Sequence, residues 1–176
     1  MRVTSGTKKG TILSTKDDLS VRPTADKVKQ SIFNMIQFSI DGRYVLDLFS
    51  GSAALGIEAL SRGADFCTFV DTNTETAKKN IDKVSFSEKS QIIKADYLSF
   101  LETGAHEKFS LVFLDPPYKK GYIDKALYVL SEKKLLTDDA ILVLECDISE
   151  SISIPECYNI KKEVTYGRIK VYLLTL

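Results

Sequence analysis

The chain has 176 residues, 44% of them hydrophobic, within the usual single-domain range of about 100–200 and enough for a core. No apolar run approaches the roughly 20 residues that span a bilayer, and Met1-Arg2-Val3-Thr4 carries no signal-peptide core. Three scattered cysteines (Cys67, Cys146, Cys157) and a lone histidine, His106, provide neither a disulfide framework nor a metal site, so the expectation is a cytoplasmic, metal-free, non-membrane protein, monomeric in solution.

The 24 basic residues balance 24 acidic ones, but unevenly. Residues 1–30 hold seven basic side chains (Arg2, Lys8, Lys9, Lys16, Arg22, Lys27, Lys29) against three acidic ones (Asp17, Asp18, Asp26), leaving the remainder mildly acidic. A basic arm on an acidic body suits docking to a nucleic acid, although charge alone slightly favours an ordinary solvated hairpin. The arm spans residues 1–22, with a hairpin expected around Gly6 to Leu13. Past Pro23 an amphipathic helix follows, its buried face marked by Val28, Ile32, Met35 and Ile36.

Tyr44 to Leu48 reads as a buried strand, followed by the small-residue loop Ser50-Gly51-Ser52-Ala53-Ala54-Leu55-Gly56 and helical spacing from Ile57. Gly51 lets the backbone turn and approach a ligand, whereas Gly56 lets the helix pack on the sheet. The loop lacks both the dinucleotide Gly pattern and the Lys of a P-loop. Asp47 at the strand tip repels a pyrophosphate and suits an ammonium, which points to S-adenosylmethionine. Residues 66–70 form a second strand ending in Asp71, placed to take ribose hydroxyls. Asn73 either assists there or caps the helix 74–84. Residues 91–95 form a third strand; Asp96 beyond it either accepts from an adenine amino group or caps the helix 97–102. Candidate cofactor contacts are therefore Asp47, Phe49, Ser50, Gly51, Asp71, Asn73, Asp96 and Tyr97.

The run 109–114 leads into Asp115-Pro116-Pro117-Tyr118. Two prolines lock an extended turn and leave carbonyls that no local N–H claims. The tetrad offers acceptors beside a flat ring, a combination suited to the amino group of a nucleobase. Such an amine is a poor nucleophile. Bonds from its two hydrogens to the Asp115 carboxylate and the Pro116 carbonyl favour a pyramidal nitrogen and strengthen as positive charge develops. Tyr118 would stack on the base, and Lys119 and Lys120 would meet flanking phosphates. A tight turn with Tyr118 capping the core is the plainer alternative.

Residues 140–145 form a fifth strand, with Glu145 at its end either facing the base pocket or, the preferred reading, a solvated strand-end acid. The segments 161–166 and 169–174 form an antiparallel hairpin through Gly167-Arg168, whose Arg168 is a possible RNA contact. Strands alternating with helices imply an α/β fold with a parallel sheet covered on both faces.

In Val21-Arg22-Pro23-Thr24-Ala25-Asp26-Lys27-Val28-Lys29, in Asp47-Leu48-Phe49-Ser50-Gly51 through Gly56-Ile57-Glu58-Ala59-Leu60-Ser61-Arg62-Gly63, and in Leu114-Asp115-Pro116-Pro117-Tyr118, the chain resembles the bacterial small-subunit (16S) rRNA guanine-N2 methyltransferases of the RsmD type. The resemblance covers nearly the whole chain. It implies a doubly wound, Rossmann-like methyltransferase domain over residues 23–176, mostly parallel with a C-terminal antiparallel hairpin, and S-adenosylmethionine as cofactor. It also implies 16S rRNA, within a small-subunit assembly particle, as substrate. Asp115 to Tyr118 would hold the target guanine, and Arg22, Pro23 and Thr24 would lie near the cofactor mouth and the RNA. The chain departs from the family pattern at Ala53, where Gly is common, and at Thr11, where Arg often completes Lys-Gly-Arg; the second departure removes one expected RNA contact. Adenine-N6 methylation of RNA or DNA, protein-glutamine methylation and a non-catalytic assembly factor are the competing readings.

Overall fold

The computed structural model describes residues 1–15, 23–103 and 107–176, with side chains in the first helix described from residue 26. Arg22, Lys16 and His106 lie outside the described residues, as do the side chains of Pro23 and Thr24.

Seven strands form one sheet: β1 (Tyr44–Leu48), β2 (Phe66–Asp71), β3 (Ser90–Lys94), β4 (Phe109–Leu114), β5 (Leu136–Asp147), β6 (Asn159–Tyr166) and β7 (Ile169–Thr175). Their spatial order is β3-β2-β1-β4-β5-β7-β6. The first five run parallel; β7 pairs antiparallel with both β5 and β6. The fold is the doubly wound, Rossmann-like sheet with a C-terminal antiparallel hairpin that the alternation of elements implies.

Helices α1 (Pro23–Met35), α2 (Ala54–Ser61) and α3 (Glu75–Lys83) cover one face, and α4 (Tyr97–Glu102) and α5 (Tyr122–Glu132) the other. The strands' two-residue period sorts side chains between two cores. Val45, Phe69, Leu111, Phe113 and Val143 pack with Ile32, Phe33 and Ile57, whereas Leu46, Val70, Val112, Leu114 and Leu144 pack with Phe100, Ile123 and Leu127. Of the α1 face, Val28, Ile32 and Ile36 are buried and Met35 partly so.

Two elements differ from expectation. Strand β5 begins at Leu136, upstream of the apolar run, because Leu136 pairs with Phe109 and the register shifts between Phe109 and Leu111. Helix α2 begins at Ala54, placing Gly56 inside it. A Cβ there would stand 2.3 Å from Phe69 Cε1 and 2.6 Å from Cys67 Sγ, so glycine is required for this helix to lie on the sheet.

The amino-terminal arm is a hairpin with an antiparallel bridge between Arg2 and Ile12. Val3 and Leu13 are buried in the same core as Phe33. Glu58 on α2, fully buried, ties the arm down. It accepts from Thr4 N at 2.8 Å, Thr4 Oγ1 at 2.7 Å, Ser5 N at 3.0 Å, Lys29 Nζ at 2.9 Å and Arg62 Nε at 2.9 Å. Lys29 also donates to the Arg2 carbonyl and is only 3% exposed. Its charge is thus internal, which corrects its counting among the basic groups available to RNA.

Candidate active site

β1 is flanked by β2 on one side and β4 on the other, so the connections diverge at the carboxyl ends of β1 and β4. That divergence opens a crevice where such sheets bind ligands. Two cavities meet there. The larger, about 460 Å³, is lined by Phe49, Asp71, Asp96, Tyr97, the whole of Asp115 to Tyr118, and Tyr122. The smaller, about 270 Å³, is lined by Met1, Lys29, Asp47, Ser50, Gly51, Asp115 and Glu145. Phe49 and Asp115 belong to both, making them two halves of one cleft.

The loop after β1 is held in an uncommon shape. Phe49 (φ 77°), Gly51 (φ 52°) and Ala53 (φ 65°) all adopt left-handed backbone conformations. For Phe49 this costs about 1–3 kcal/mol, a strain that persists only where surroundings enforce it. The N–H groups of Phe49 and Ser50 both donate to the Val70 carbonyl at 3.0 Å. The Phe49 ring lies 4.9 Å from Tyr97 and stacks on Tyr122 at 5.8 Å. Asp71 accepts from Gly51 N at 2.8 Å through Oδ2 and from Asn73 N at 2.9 Å through Oδ1, tying β2 to the loop. The left-handed φ at Ala53 accounts for the glycine common there in the family pattern.

Asn73 accepts from Glu75 N at 3.2 Å and so performs the capping role. Asp96 caps α4 by accepting from Leu98 N at 2.9 Å and Ser99 N at 3.2 Å. Both bonds use Oδ1, which leaves Oδ2 for a ligand. Asp47 is buried and accepts from Gly56 N at 2.9 Å. Burial, opposed by that bond and aided by Asp71, raises its pKa to about 7. The Ser50 hydroxyl is buried with no partner among the described residues.

Pro116 is buried, while Asp115, Pro117 and Tyr118 are exposed in the cleft. Surrounding protein, then Glu145, then Asp47 raise the Asp115 pKa; its contact with cleft water limits the size of that rise. Tyr118 donates from its hydroxyl to Glu145 Oε1 at 3.0 Å. Glu145 is therefore half-buried and faces the cleft, correcting its reading as a solvated strand-end acid. Burial raises its pKa and the Tyr118 bond partly offsets this. Lys119, with φ 62°, donates from its backbone N to Glu150 at 3.0 Å, and both Lys119 and Lys120 side chains are exposed.

Tyr122 escapes the sequence reading, and Glu145 enters it as facing either the base pocket or solvent, with solvent preferred. The place of Glu145 is decided only by the register of β5 on β4, and Tyr122 becomes visible only through the fold of the loop after the tetrad. Asp47, Asp71, Asp96, Asp115 and Glu145 line the cleft with carboxyl groups, which favours a ligand that brings positive charge and hydrogen-bond donors over a phosphate.

A family model described as Conserved hypothetical protein 95 matches residues 1–175. The chain belongs to this family, the RsmD-type methyltransferases. This family member is 41% identical to YlbH of Bacillus subtilis over 175 residues, covering 95% of this chain and 94% of that one. It is 33% identical to the ribosomal RNA small subunit methyltransferase D of Haemophilus influenzae over 178 residues, covering 98% and 92%. Among solved structures, yhhF from Escherichia coli superposes with TM-score 0.86 at 27% identity, covering 99% of this chain and 96% of that one.

Proposed function

We propose that this protein transfers a methyl group from S-adenosylmethionine to the exocyclic N2 of a guanine in small-subunit rRNA. The observation that carries the reading is the placement of Asp115 to Tyr118 at the meeting point of the two cavities. Relatives named for methylation of small-subunit rRNA support the substrate class. The cleft's own chemistry fits the cofactor: Asp47 suits its ammonium, the orphan Ser50 hydroxyl and Gly51 its carboxylate end, Asp71 its ribose, and Asp96 with Tyr97 and Phe49 its adenine. When bound, it supplies an electrophilic methyl on a sulfonium centre.

The Asp115 carboxylate and Pro116 carbonyl accept the two hydrogens of the target amine and aim its lone pair at that carbon. That nitrogen would take the methyl of the bound cofactor, the electron pair of the broken C–S bond staying on sulfur. The surplus proton on nitrogen passes to Asp115 and then to water; a raised pKa makes that carboxylate a competent acceptor. Tyr118 stacks on the base, which must be splayed out of folded RNA to reach the cleft. Lys119 and Lys120 at the mouth meet flanking phosphates, and Arg22, Pro23 and Thr24 are assigned to the RNA as the family resemblance implies. The protein acts as a monomer on an assembling small subunit.

Nucleoside mass spectrometry of small-subunit rRNA, from cells with and without this protein, tests the reading. N2-methylguanosine should vanish from one site. Loss of N6-methyladenosine instead would overturn the guanine assignment.

A further inference from the structure

We propose that Glu145 selects guanine, by accepting the N1–H that stands beside the N2 amine on that base. The inference rests on the function proposed above and deepens it. The register of β4 on β5 ends with Phe113 opposite Val143 and Leu114 opposite Leu144. Asp115 is the first residue past the end of β4, and Glu145 is the next position of β5; neighbouring strands lie about 4.8 Å apart. Side chains alternate along a strand, so the two carboxylates stand side by side on the face of Phe113 and Val143. Both line the smaller cavity. So does Ser50, 7% exposed, whose hydroxyl meets no described partner; that orphan, assigned above to the cofactor, marks the cavity that Asp115 and Glu145 share as built for polar ligands.

Tyr118 fixes Glu145 from one side by donating to Oε1, leaving Oε2 to receive a second donor. An ionised carboxylate only accepts hydrogen bonds. On guanine, one of the two ring nitrogens adjoining the amine-bearing carbon, N1, is protonated, whereas N3 on the other side carries a lone pair. On adenine and cytosine the corresponding nitrogen carries a lone pair, which a carboxylate repels. Uracil and thymine carry a ring N–H but no amine. Adjacent acceptors at 115 and 145 therefore match guanine and reject the other amino bases, by attraction and by repulsion together.

The test uses the full chain and an RNA spanning the methylated site, synthesised with guanine or with 2-aminopurine at the target. 2-Aminopurine keeps the N2 amine but has a bare ring nitrogen at position 1. The wild-type protein should prefer guanine in kcat/KM by roughly 10- to 100-fold, the worth of one well-placed polar contact. Glu145→Gln, whose amide can donate to the bare nitrogen, should shrink that ratio by about tenfold while calorimetric S-adenosylmethionine affinity is kept. Equal wild-type rates on both bases, or a ratio unmoved by E145Q, overturn the assignment of Glu145. Absence of transfer to any rRNA guanine instead sinks the proposed function itself, and this inference with it.

Discussion

Glu58 and the cleft carboxyls of Asp47, Asp115 and Glu145 are all pushed up by the protein around them, and they have opposite fates. Burial pushes the Glu58 carboxyl up, but Lys29 and the Thr4 donors outweigh it and hold its pKa below the usual value. Among the described residues Asp47 has one backbone donor and no ion-pair partner, and it is raised to about 7. Asp115 and Glu145 are raised as well, with only Tyr118 donating to the pair's outer member. The contrast separates structure from function. An acid whose acceptors are filled by its own chain holds elements together, whereas acids left short of partners await a ligand that brings its own donors and charge.

The sharpest way to break this comparison is to empty the satisfied site. Lys29→Met breaks the buried pair with Glu58 but leaves it Arg62 and the Thr4 and Ser5 donors, and urea unfolding should show a loss of about 3 kcal/mol, the low end for breaking a buried ion pair. A loss under about 1 kcal/mol would mean the network is not what clamps the arm. On the unsatisfied side, Asp115→Ala should lower methyl transfer by roughly 100- to 1,000-fold with S-adenosylmethionine binding retained by calorimetry. Near-normal turnover in that variant would remove the tetrad from the mechanism.

Acidity sharpens the contrast further. The folded pKa of Asp47, about 7, lies above its ordinary 3.8, so its contribution to stability is complete below pH 3.8 and is lost as pH rises through 7. Glu58 behaves oppositely: with a folded pKa below 4.5, it contributes above pH 4.5 and loses that contribution as pH falls. Between about pH 5 and 7 the ligand-free protein should therefore lose stability, by up to about 1.4 kcal/mol per pH unit from Asp47. Asp47→Asn should flatten that slope in denaturation at several pH values and weaken cofactor binding. An unchanged slope would show that Asp47 is solvated. The smallest effect belongs to Tyr118→Phe, which keeps the ring and deletes the bond to Glu145. Steady-state rates should fall roughly 2- to 10-fold, the worth of one hydrogen bond; a loss as deep as that of Asp115→Ala would give the hydroxyl a direct chemical role.

The sequence reveals those parts of the molecule that depend on local pattern. β1 and β4 match their expected limits because each is an apolar run with a sharp boundary, set at one end of β4 by Pro116 and Pro117. Gly56 is legible because glycine at a strand-to-helix junction has few other uses. Asp96 and Asn73 are legible as caps, since capping is a matter of two or three residues. What depends on distant pairing is not readable in this way. Lys29 looks like one more cation of a basic arm until Glu58 is placed beside it. Glu145 looks solvated until the register of β5 sets it next to Asp115, and the start of β5 is hidden because Thr137 to Asp139 are polar residues extended by their neighbours.

The aromatic wall of the larger cavity has a practical consequence. The chain contains no tryptophan and eight tyrosines, of which Tyr97, Tyr118 and Tyr122 line that cavity. Intrinsic ultraviolet emission must therefore come from phenol groups, several of them at the ligand's doorstep. Occupancy of the cleft should be readable as quenching of this emission, without a dye, a tag or a radioactive label.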